Sequence, residues 1–329
     1  MNTGLQRFET YLQALETLLT KAATQKNAAL YLYQNNARTP LFMLEALAKI
    51  YAGISNKKKF TKIKDRCKVL EDALGAIDYY DGIVKQLSTN KKIPTAITTY
   101  LKAQVVAKTQ YLNDVLIAEK WLHATPSRCT KIAKKLQTIK WLQPQVEIKA
   151  VENFYGNAIY EIVAFTKSTH YHFDNMEEDV HELRRKLRWL SIYPQAMQGC
   201  IQLVSDKKNQ QLLAPYLTKA VTTSAYNKMP EADDNTCFLL LEKNYFLANS
   251  WVIAELGKLK DAGLLIIALK QAIQQTAAVT DADAFKKVYT MLGAKQPTLE
   301  KLLATAATIA NQYFAKNNLE HLVVGVSIS

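Results

Sequence analysis

The segment EEDVHELRRKLRWL, Glu177 to Leu190, places His181, Arg184 and Arg188 at i, i+3 and i+7. On a helix these three donors line one face, while Val180, Leu183, Leu187 and Leu190 line the adjoining one. Such a helix leans on a bundle along its leucine edge and presents a column of cations beside it. The chemistry open to that column is anion binding. Arginine grips two oxygens through its planar fork, and histidine donates a hydrogen bond when neutral and adds charge in an anionic setting. A plain solvated face competes with this reading, because Glu177, Glu178 and Glu182 stand close enough to pair with part of the run.

A second cationic run, Lys57, Lys58, Lys59, Lys62, Lys64, Arg66 and Lys68, is opposed by Asp65 alone. On a helix whose buried stripe runs through Phe60, Ile63 and Cys67, this charge flanks the core as a positive ridge. The wider count agrees: residues 1–165 hold 24 basic and 13 acidic residues, net +11, whereas residues 166–329 hold 18 and 16, net +2.

Catalytic constellations are scarcer. Glu178-x-x-His181 matches half of a di-iron bundle site, and Glu119 precedes His123 by four residues, but no second E-x-x-H completes the set. Asp78 and Asp81 in DYYD form one aspartate pair, which more often decorates a helix surface than holds magnesium. His170 and His172 lie on a predicted loop, and Asn175 with Glu178 reads as a capping box. No Walker loop, G-x-S-x-G or dinucleotide fingerprint is present. The reading is therefore of a non-catalytic protein that needs no metal or cofactor.

The elements that must position these residues are helices. Leu5, Phe8, Leu12, Leu15, Leu19 and Ala22 alternate steps of three and four, as do Phe60, Ile63, Cys67, Leu70, Leu74 and Ile77, and so do shorter runs at Val180–Leu190 and Leu299–Ile309. Thr39-Pro40 reads as an N-cap followed by a first-turn proline, and Pro94, Pro126, Pro144 and Pro297 mark segment edges. Thr222 to Thr236 is the best exposed loop. Only the tail HLVVGVSIS suggests a strand. Ten glycines and eight prolines in 329 residues argue against turn-rich architectures, and 49% hydrophobic with 22% charged residues specifies a folded chain with net charge +13. Seventeen tyrosines, among them Tyr31, Tyr33, Tyr51, Tyr79 and Tyr80, fall among Leu and Ala at core-like positions. Cys67, Cys129, Cys200 and Cys237 stand far apart, which predicts free thiols in a reducing, cytoplasmic setting. The N-terminal MNTGLQRFET has no apolar core and reads as no leader, and AGLLIIAL, the longest apolar run, is too short to span a bilayer.

A histidine followed by arginines at these spacings, in a basic helical protein, resembles the CHAD family, the conserved histidine α-helical domain. The matching segments are VHELRRKLR at Val180–Arg188, ELGKLKD at Glu255–Asp261 and ALGAID at Ala73–Asp78. The resemblance implies an all-α fold of two related antiparallel helical bundles, residues 1–165 and 166–329. Leu74-Gly75 with Asp78 and Leu256-Gly257 with Asp261 would be counterpart elbows. It also implies an inserted helix near Asp206 to Thr218, and a degenerate first basic helix that keeps Arg38 but has no histidine. The family is associated with inorganic polyphosphate bound between the halves. On this basis the expected anion-binding set is His181, Arg184, Arg185, Arg188, Arg38, Lys58, Lys62, Arg66 and Lys260, with polyphosphate or a similar polyanion as partner and no membrane. Nucleic-acid binding and a scaffold without any anion are the alternatives.

Overall fold

Thirteen α-helices and a small sheet make up the described residues of the computed structural model, 4–123, 125 and 127–328. Pro126 and Ser329, expected at a segment edge and at the end of the tail strand, lie outside the described residues. In chain order the helices are α1 (Gly4–Ala22), α2 (Ala28–Gln34), α3 (Arg38–Ile54), α4 (Lys57–Leu87), α5 (Thr95–Ala118), α6 (Arg128–Gln137), α7 (Pro144–Ser168) and α8 (Glu182–Ala196). Strand β1 (Ile201–Val204), two short helices α9 (Lys207–Leu212) and α10 (Lys219–Thr222), and strand β2 (Cys237–Glu242) follow. The chain closes with α11 (Lys243–Thr276), α12 (Asp281–Leu292), α13 (Leu299–Phe314) and β3 (Val323–Ile328). No helix among the described residues is long and apolar enough to cross a membrane.

Local chemistry sets these boundaries. Asn27, Asn56, Ser127, Thr280 and Thr298 each accept a hydrogen bond from a first-turn backbone N–H. Pro94 precedes α5 and Pro144 opens α7, where a missing N–H costs nothing. Thr39 does not cap α3. That helix starts at Arg38 with no side-chain cap, and Pro40 fits inside its first turn for the same reason. The shift matters, because it brings Arg38 onto the helix itself.

The predicted stripes are buried: Phe8 to Ala22 on α1, Phe60 to Ile77 on α4, and Val180, Leu183, Leu187 and Leu190 before and along α8. Helices α3, α4 and α5 pack in sequence, α8 lies on α3 and α11, and α11 lies on α5, α12 and α13. The buried side chains form one continuous core, so the halves divided after residue 165, within the last turn of α7, do not stand apart. Between α8 and α11, where a helix is expected near Asp206 to Thr218, stand the six-residue α9 and a 3-10 turn, with the short α10 after them, framed by two strands that alternation did not reveal. β1 pairs parallel with β2 and β2 antiparallel with β3, giving the order β1-β2-β3 against α7. The tail strand is present, and residues 223–236 form the predicted loop, with one 3-10 turn.

Candidate anion-binding site

Neither Leu-Gly pair is an elbow. Gly75 lies inside α4 and Gly257 inside α11, where glycine costs about 1 kcal/mol relative to alanine. The reason for both is an arginine laid across the helix. A Cβ on Gly75 would stand 3.2 Å from Arg38 Nη2, and one on Gly257 would stand 2.9 Å from Arg184 Nε. Each arginine comes from the helix packed alongside, and each has an aspartate further along the glycine-bearing helix. Arg38 Nη1 donates to Asp78 at 2.9 Å, and Asp261 acts electrostatically on Arg184. The same arrangement of arginine, glycine and aspartate thus occurs on α3/α4 and on α8/α11.

These two arrangements meet. The Arg38 and Arg188 guanidinium carbons lie 5.2 and 4.7 Å from the centroid of one ring, Phe42, which also packs edge-on against Trp189. Arg184 is the next charge, close enough to act on Arg188. Burial pushes the pKa of Arg188 down, and Arg184 and Arg38 add to that push through like-charge repulsion. Burial also lowers Arg184. Both remain charged at neutral pH.

Their neutralisation differs. Arg38 donates to Glu71 through Nε at 3.0 Å as well as to Asp78. Arg184 donates through Nε to the Ile253 carbonyl at 3.1 Å. Arg188, half-buried, makes no ion pair among the described residues, but Glu71, the partner of Arg38, acts on it favourably, and so does Tyr226, 88% exposed on the 223–236 loop. A half-buried guanidinium that makes no ion pair of its own is the most anion-ready group of the set.

A second group adjoins this one. His181 Nδ1 bonds Glu177 at 2.8 Å, so the histidine belongs to a cluster with Arg185 and Lys260, both of which act on Glu177, and does not join the arginine column. Glu177 is held below the usual carboxylate range, first by that His181 hydrogen bond. This i,i+4 pair sits on a π-helical turn, Met176–His181, ahead of α8. The extra residue also changes the cap. Asn175 accepts from the Glu177 and Glu178 N–H groups, but the carboxylate reaching back is Asp179, not Glu178. Lys260 pairs with Asp261 at 2.7 Å and so links this cluster to Arg184.

No family model, curated protein or solved structure matches this chain.

The lysine ridge divides. Arg66 has Arg128 and Glu119 as its charged neighbours, and Lys59 Nζ donates to Thr138 Oγ1 at 3.3 Å. Lys58 and Lys62, four-residue steps back from Arg66, are exposed on that outer side of α4. Two residues along a helix is about 200° of rotation, so Lys68 points the other way. It pairs with Asp72 at 2.7 Å and acts on Glu45 and Lys49 of α3. Lys58, Lys62 and Arg66 therefore do not reach the arginine cluster, and Lys68, which does approach it, was not among the expected residues.

Sequence reasoning also missed Phe42, Lys49 and Trp189. Lys49 Nζ sits 3.3 Å from the Trp189 ring centroid and 3.1 Å from Glu45, with Arg185 acting on it from α8. Burial lowers its pKa to about 8. The signal was available: Arg38, Phe42, Glu45 and Lys49 follow steps of four, three and four along α3. The other constellations do not assemble. Asp81 accepts from Tyr33 at 2.6 Å while Asp78 serves Arg38, His172 pairs with Asp174 on an exposed turn, and no three His, Cys, Asp or Glu side chains gather as metal ligands among the described residues.

Proposed function

We propose that this protein binds inorganic polyphosphate, or a polyanion of the same repeating-phosphate chemistry, without a catalytic step. The observation that carries the reading is the meeting of Arg38 and Arg188 over Phe42 with Arg184 beside them, Arg188 making no ion pair of its own among the described residues. A chain of phosphates favours several guanidinium and ammonium contacts of modest strength over one deep pocket. Lys68, Lys49, Arg185, His181 and Lys260 adjoin the arginine cluster, each paired with a carboxylate that a polyanion would have to displace. The resemblance to the CHAD family points to the same ligand, and the doubled arrangement of arginine, glycine and aspartate supports an internal duplication. The proposed role is binding alone, in a cytoplasmic setting.

Retention of long-chain polyphosphate in a filter assay at low salt tests this. Binding is expected to weaken steeply as salt rises. A charge-assisted hydrogen bond contributes about 1.5–3 kcal/mol, so Arg184→Ala combined with Arg188→Ala is expected to lose roughly a hundredfold or more in affinity with the fold intact. No retention at low salt, or unchanged affinity in the folded double variant, overturns the assignment. One observation favours a second reading: exposed Tyr226 beside Arg188 offers a base a ring on which to stack. Single-stranded RNA that outcompetes polyphosphate, and loses that advantage in Tyr226→Ala, would establish nucleic acid as the ligand.

A further inference from the structure

We infer that two copies of this chain associate through the free edge of β3 and the groove beside it. The order β1-β2-β3 leaves one side of β3 without a strand partner among the described residues. Its sequence, VVGVSI, carries neither charge nor proline, the residues that ordinarily guard an edge against pairing. Val324 is itself a bulge in β3, passed over between the Leu241–Val323 and Leu240–Gly325 pairs, so the length free to template another strand is Gly325 to Ile328, which keep regular register with β2.

The surroundings are apolar and shaped. Val324 and Ile328 are 55% and 56% exposed, and Tyr160 of α7 is 74% exposed. Next to them runs a groove of about 480 Å³, floored by Ile159, Val163 and Ala164 and bounded by Val323. Protruding Tyr160 lines that hollow itself, and Val324 follows Val323 at its border. That is what a two-fold contact needs, because each copy must supply both the knob and the hole.

Charge selects a second copy as the occupant. The whole chain carries +13, so most of its surface repels another copy of itself and draws acidic partners. Around β3 the balance is even: Lys149 pairs with Glu152 of the same helix, and Lys167 and Glu320 both line the groove. This is a face on which identical copies meet without like-charge cost. Antiparallel pairing of β3 with its counterpart joins two three-stranded sheets into one of six, satisfying outward backbone groups on both sides.

The inference does not depend on the ligand proposed above. Sedimentation velocity and light scattering of the full chain across the micromolar range test it. The expected mass is twice 37.1 kDa, and it is expected to persist in high salt because the contact is apolar and hydrogen-bonded. Val324→Lys and, separately, Ile328→Lys place a charge on the edge and should return the particle to 37.1 kDa with unchanged circular dichroism. A monomer at every concentration, or a dimer that survives either substitution in a folded protein, overturns the inference.

Discussion

Gly257 shows how one missing methyl group governs a cation. Replacing it with alanine raises the intrinsic helix preference of α11 by about 1 kcal/mol, yet the new Cβ would stand 2.9 Å from Arg184 Nε and displace that side chain. Gly257→Ala is therefore expected to weaken polyphosphate binding while the melting temperature holds or rises. Parallel loss of both would mean that the glycine serves packing alone. Lys49 offers a second residue-level test. Its folded pKa of about 8 lies below the ordinary 10.5. Between those values the folded protein has released the proton and the unfolded chain still holds it, so stability rises with pH across that window. The ammonium rests on Trp189, and its loss should change indole emission with a midpoint near 8. Lys49→Met should abolish the transition. A bound polyanion should move the midpoint upward, since it favours the charged form.

Among the elements, α1, α3, α7 and the turn before β1 are tied by one buried network. Arg7 Nη1 donates to Glu147 Oε2 and to the Tyr51 hydroxyl, both at 2.7 Å, Tyr51 donates to Glu147 Oε1 at 2.6 Å, and Arg7 Nη2 donates to Cys200 Sγ at 3.0 Å. Arg7→Met leaves a buried carboxylate without its cation, a change that costs about 3–5 kcal/mol. A clear fall in the urea midpoint is expected, and a shift below a third of that range would mean that Glu147 takes up a proton with little penalty. The helices themselves were legible because their stripes run for many turns. β1 and β2 were not, because four to six residues of IQLV or CFLLLE read equally well as a short buried helix.

For the molecule as a whole, a continuous core joins the halves, and Arg7 reaches Cys200 across most of the chain. A fragment ending at residue 168 would expose the α3 face that α8 covers and would leave Glu147 and Tyr51 without the sheet-side neighbours of their network. It is expected to melt without cooperativity in circular dichroism, in contrast to the full chain. A sharp transition in the fragment would establish the first half as an independent domain.

The charge excess, the helical stripes and the pairing of each Leu-Gly with a following aspartate depend on local order along the chain, and a linear string displays local order in full. The meeting of Arg38 with Arg188 over Phe42, with Arg184 next to Arg188, brings together residues more than a hundred positions apart, and it depends on where α3 crosses α8. The division of the lysine ridge depends on which neighbour each flank of α4 faces, and the π-turn at Met176–His181 depends on a single extra residue per turn. Crossing positions and neighbours arise from packing the side chains of many helices at once, so they emerge only in the folded chain.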